Sequence, residues 1–82
     1  MRHDQDRSGE LAEVRRYSLV IEWSDEDQLY IVTIPELPGC LTHGATHAAA
    51  VRQGEDAIAT WLATARRFGD PIPPPRVFAA AS

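Results

Sequence analysis

Cys40, His43 and His47 form a C-x2-H-x3-H pattern, three side chains of the types that hold zinc. Binding requires those side chains to converge. If the run from Cys40 to His43 is extended, their odd separation sends the two side chains to opposite faces. No fourth ligand stands out beyond the general supply of Asp and Glu. The same divergence argues against a Cys40 nucleophile with His43 as its base. The plainer reading is a small buried thiol with two solvent-facing histidines, and neither a metal nor a cofactor is expected.

Carboxylates gather at Glu22, Asp25, Glu26 and Asp27, with Glu36 in the next loop and Glu55-Asp56 further on. A two-metal nuclease needs carboxylates that converge from separate elements in a shaped cavity. Asp25 to Asp27 are consecutive in one polar turn, which suits solvation or a basic protein partner better than catalysis. The chain has no glycine-rich phosphate loop and no G-x-S-x-G elbow. Nothing in these residues calls for an enzyme. Tyr17, Trp23, Tyr30 and Trp61 resemble a base-stacking set, but at inward strand and helix positions they read as core.

These side chains must be placed by a few short elements. Tyr17 to Trp23 alternates, with Tyr17, Leu19, Ile21 and Trp23 on one face and Ser18, Val20 and Glu22 on the other. Such a pattern predicts a half-buried strand. A polar turn, Ser24 to Gln28, leads to a second alternating run in which Tyr30, Val32 and Ile34 oppose Leu29, Ile31 and Thr33. An antiparallel hairpin follows. With no glycine in the turn, a longer loop is expected than the tight two-residue kind.

Pro35 to Gly39 must leave the sheet, and Pro38-Gly39 suits the centre of a type II turn. Cys40 to His43 is then a short returning strand. Thr46 is a fitting N-cap for a helix from about His47 to Phe68, whose stripe contains Ala50, Val51, Ala57, Ile58, Trp61, Leu62 and Ala65. Gly54 falls on that stripe and would permit close approach to the sheet. Gly69 suits the helix stop, and Arg66-Arg67 suit the negative end of its dipole. Pro71 to Pro75 should be extended, with Arg76 to Phe78 as a short last strand.

The fold class is therefore α+β: β-β-β-α-β, an antiparallel sheet with one packed helix. Residues 1–16 read as a mobile tail in which Leu11 to Arg16 has the makings of a short turn. The folded domain spans 17–78, and 79–82 fray.

Composition limits the partners. The 82 residues carry eight arginines, no lysine and twelve carboxylates, for a net charge of -4. Nucleic-acid binders carry basic stripes, so a basic protein is the better match. A domain this small buries only about 60% of its unfolded surface, and its single cysteine rules out an internal disulfide. Self-association or a partner is expected to supplement the core. No apolar run approaches the ~18 residues of a membrane span, and the N-terminus does not resemble a signal peptide. The expected location is the cytoplasm.

Four segments together carry a resemblance. They are Tyr17-Ser18-Leu19-Val20-Ile21-Glu22 with its acidic turn and Leu29-Tyr30-Ile31-Val32; Ile34-Pro35-Glu36-Leu37-Pro38-Gly39-Cys40 continuing through Gly44-Ala45-Thr46; Ala57-Ile58 with Trp61-Leu62; and Gly69 to Pro75. Over about Tyr17 to Phe78 the chain resembles the HicB-like antitoxin domain of bacterial and archaeal toxin–antitoxin systems, most distinctively in Pro-x-Leu-Pro-Gly-Cys. The resemblance implies a partial ribonuclease-H-like fold without that enzyme's catalytic set. It also implies a function, the sequestering of a small, basic, mRNA-cleaving HicA-like toxin. On electrostatic grounds Glu22, Asp25, Glu26, Asp27 and Glu36 are the candidates for meeting it.

Two features depart from the family pattern. Many relatives continue into a C-terminal operator-binding domain, whereas this sequence ends at Ser82, so no direct DNA binding is expected of it. Ala48 and Ala49 also replace acidic residues common at the helix entry. The alternative is an orphan homo-oligomeric scaffold with no toxin, a dimer or tetramer built on an exposed sheet edge or the last strand.

Overall fold

The structure, a computed structural model, describes residues 11–79. Most of the expected tail, residues 1–10, lies outside the described residues, as do 80–82. Three strands, β1 (Val20–Ser24), β2 (Leu29–Thr33) and β3 (Leu41–Gly44), form an antiparallel sheet in the order β1-β2-β3, and one long helix, α1 (His47–Phe68), follows. The domain is α+β, as its periodicities predict.

β1 starts at Val20, three residues later than the alternation from Tyr17 suggests. The reason is a competing acceptor: the Ser18 N–H donates to both Glu36 carboxylate oxygens at 3.1 Å and not to a neighbouring strand. The β1–β2 hairpin closes through residues 25–28. The Gln28 N–H donates to the Ser24 carbonyl at 2.8 Å, and Gln28 itself takes the left-handed conformation at φ 57°. In the β2–β3 connection, the Cys40 N–H reaches the Leu37 carbonyl at 3.1 Å across Pro38-Gly39. Gly39, at φ 73°, supplies the positive φ that a type II turn requires.

α1 has the predicted boundaries. Thr46 Oγ1 accepts the Ala49 N–H at 3.0 Å, and Gly69 ends the helix at φ 70°. Its buried stripe is Ala50, Gly54, Ile58, Leu62 and Ala65. Of these, Ala50, Ile58 and Leu62 share one buried cluster with Val32, Ile34, Leu37 and Cys40. Full burial of an Ile or Leu side chain contributes about 1.5–3 kcal/mol, so Ile58, Leu62, Ile34 and Leu37 carry much of the core.

Close contact between helix and sheet depends on two small residues. A Cβ on Gly54 would lie 2.6 Å from Leu19 Cδ2 and 3.2 Å from Val32 Cγ1, so the expected close approach is present. A Cβ on Gly44 would lie 2.5 Å from the Ala50 backbone nitrogen. The end of β3 thus sits directly against the first turn of α1.

Three expectations need correction. Residues 71–79 carry no regular secondary structure, and 76–78 form no strand of the sheet. Pro71, Pro73, Pro74 and Pro75 have no N–H to donate, and the Arg76 N–H is taken by Glu36. Trp23, expected in the core, is 48% exposed at the end of β1. Finally, the packed domain begins before Tyr17: residues 11–14 form a helical turn whose Val14 is buried in the core. Glu13 in that turn pairs with Arg66 of α1. Among the described residues no helix is long and apolar enough to cross a membrane.

Candidate protein-binding surface

The hairpin turn carries the densest charge. Its shape is set internally: the Ser24 hydroxyl donates to Asp27 Oδ2 at 3.1 Å and accepts the Asp27 N–H at 3.2 Å. The Gln28 side-chain amide donates to the Asp25 carbonyl at 2.7 Å. Asp25, Glu26 and Asp27 are held exposed on this loop, and Glu22 is exposed on the neighbouring strand. Three consecutive carboxylates on an exposed, internally bonded turn raise the local density of cationic partners.

An aromatic strip runs beside the turn. Trp23 Nε1 donates to Asp25 Oδ1 at 2.7 Å. The Trp23 ring meets Tyr30 edge-on, with centroids 5.1 Å apart at 70°, and Tyr30 lies 4.2 Å from the His47 ring at the start of α1. The pairing of Trp23 with Tyr30 places the two side chains on one face of the sheet. A half-exposed indole beside carboxylates can stack on a guanidinium while the acids pair with its charge.

Glu36 occupies a different environment. It is 8% exposed and accepts hydrogen bonds from the Ser18 N–H, the Ser18 hydroxyl at 2.9 Å and the Arg76 N–H at 2.8 Å. Burial alone would raise its pKa. Together the bonds from Arg76, from Ser18 and from its own N–H outweigh that, and hold the carboxyl below its ordinary value. This carboxylate joins three segments and is directed inward, away from the exposed acids. In the sequence Glu36 stands out by charge alone, because no local signal links it to Ser18 and Arg76.

The zinc-like trio is dispersed in character. Cys40 is buried, which pushes its thiol pKa up, while His43 is exposed on β3 and His47 stacks on Tyr30. Among the described residues no group of three His, Cys, Asp or Glu side chains is placed to hold a metal ion. Tyr17 and Trp61 anchor the opposite end of the domain: the Tyr17 hydroxyl donates to the Pro73 carbonyl at 2.7 Å, and Trp61 Nε1 to the Pro38 carbonyl at 3.1 Å.

Along the outer side of β3 lies an open groove of about 910 Å³. Its walls include Leu41, Asp56, Ala57, Trp61 and Pro71.

The fold and this surface define a small α+β domain with an exposed acidic turn flanked by an aromatic strip. Residues 17–82 match the family described as the HicB-like antitoxin of bacterial toxin–antitoxin systems. The chain belongs to that family. It is also 34% identical over 58 residues to the UPF0150 protein Ta0767 of Thermoplasma acidophilum, an alignment covering 71% of this chain and 83% of that relative. No solved structure is a significant match.

Proposed function

We propose that the chain is a cytoplasmic, non-enzymatic antitoxin that neutralises a small, basic, mRNA-cleaving HicA-like toxin by covering its surface. The observation that carries this reading is the ordered acidic turn on a member of an antitoxin family. Asp25, Glu26 and Asp27, with Glu22 beside them, steer and pair with the toxin's cations, and Trp23 supplies an apolar contact. Glu36 supports this surface from within by holding the start of β1 in place. The test is co-expression with a HicA-like toxin from the same host. Growth should be restored by the chain and lost again with the turn neutralised. A toxin whose toxicity is unchanged in the presence of excess chain would overturn the proposal.

A second reading, a self-associating interaction module, draws on the exposed Leu41, Val77 and Phe78. Self-association is compatible with toxin binding, because these residues lie on β3 and the C-terminal segment and not on the acidic turn. As an orphan scaffold the chain would form a dimer or tetramer and leave the toxin untouched.

A further inference from the structure

Three of the four most exposed large apolar side chains among the described residues sit on two elements: Phe78 at 90% and Val77 at 59% on the C-terminal segment, and Leu41 at 61% on β3. Both elements are incomplete. The segment belongs to no helix or strand, and among the described residues β3 is an edge strand with a partner on one side only.

The edge has a definite polarity. The Ile34 N–H donates to the Cys40 carbonyl at 3.1 Å, and pairing continues from Thr33↔Leu41 to Tyr30↔Gly44. By the alternation of an antiparallel ladder, Thr42 and Gly44 turn their main-chain groups to β2, and Leu41 and His43 turn theirs outward. Beside that open edge lies the groove walled by Ala57 and Trp61, with Asp56 on its rim.

We propose that residues 76–79 of one copy add as a strand to the open edge of β3 in a second copy. The chemistry of the segment fits alternately. Arg76 and Phe78 share one face and enter the groove, the guanidinium toward Asp56 and the ring against Ala57 and Trp61. Val77 takes the other face and covers Leu41. The four residues of the segment match the four of β3 in length.

In its own chain the segment leads away from this edge. Pro71 and Pro73 line the groove, Pro73 accepts the Tyr17 hydroxyl, and Arg76 is held with Ser18 on Glu36 at the entry to β1. β1 lies across β2 from β3. The exchange therefore joins two copies, and it is reciprocal, since each copy offers both a segment and an edge.

This inference rests on the self-association reading above, and it is tested on the full chain by sedimentation equilibrium. The wild type should be a dimer. Phe78→Asp and Leu41→Asp, both at exposed positions, should keep their circular dichroism and weaken the dimer by roughly tenfold or more. In a Cys40→Ser background, a mixture of single-cysteine Phe78→Cys and Ala57→Cys chains should form a disulfide between copies. A monomeric wild type would overturn self-association and the strand exchange together. A dimer that withstands both aspartate variants and yields no cross-link would overturn the exchange alone.

Discussion

Glu36 and Arg76 stand forty positions apart and meet directly, the Arg76 N–H donating to Glu36 Oε2 at 2.8 Å. Because the same carboxylate also receives the Ser18 N–H and hydroxyl, one buried acid joins the entry to β1, the β2–β3 connection and the C-terminal segment. In Glu36→Gln one acceptor oxygen is replaced by a donor that cannot face these N–H groups. The expected loss is about 1–3 kcal/mol, the cost of leaving buried donors unsatisfied, read from urea denaturation at neutral pH.

The same group gives a sign to the acid limb of stability. The folded-state pKa of Glu36 is lowered, so its contribution is complete above the ordinary carboxylate value and disappears as pH falls through the folded value. A denaturation series from neutral to acid pH should show stability falling, with a shallower fall in Glu36→Gln. Equal slopes in the two proteins would contradict the assignment.

At the alkaline end the sign reverses. Tyr17 is raised chiefly by burial, aided by Glu13 and Glu36, and Cys40 is raised by burial. Stability from both is intact below their unfolded values and is lost as pH rises through the folded ones. Tyr17→Phe should flatten part of the alkaline loss. It also removes the 2.7 Å bond to Pro73, at a cost of about 0.5–1.5 kcal/mol near neutral pH.

Two glycine substitutions should differ in severity. In Gly44→Ala the new methyl meets the backbone of Ala49 and Ala50, which cannot step aside without moving α1. In Gly54→Ala the nearest atom is the tip of the Leu19 side chain, which can rotate, and the helix gains about 1 kcal/mol of propensity. Thermal melts should place Gly44→Ala lower by about 1–3 kcal/mol and Gly54→Ala closer to wild type.

Much of this architecture is legible because it is local. Thr46 and Gly69 bracket α1, and the hairpin and the Pro38-Gly39 turn follow from side-chain alternation and backbone preference. Where long-range contacts compete with local pattern, the sequence is silent. The alternation at Tyr17 to Leu19 looks like strand, yet Ser18 bonds to Glu36. Arg76 to Phe78 has strand-like residues, yet its first N–H is already engaged. The spacing of Leu11 and Val14 is a faint helical signal that the surrounding charge obscures. On the candidate surface, Asp25, Glu26 and Asp27 are readable as an exposed turn. The exposure of Trp23 depends on where β1 ends relative to α1, which no local pattern encodes.

The most direct measurement of the acidic turn's role is the affinity of a HicA-like toxin for the chain and for the combined Asp25→Asn, Glu26→Gln, Asp27→Asn variant at low and moderate salt. Asn at 25 and 27 retains an acceptor oxygen for Trp23 Nε1 and the Ser24 hydroxyl, so the turn keeps its shape while losing its charge. The wild type should bind tightly and near-stoichiometrically, the variant at least about tenfold more weakly and with a much smaller salt dependence. Equal affinities with the same salt dependence would contradict that role.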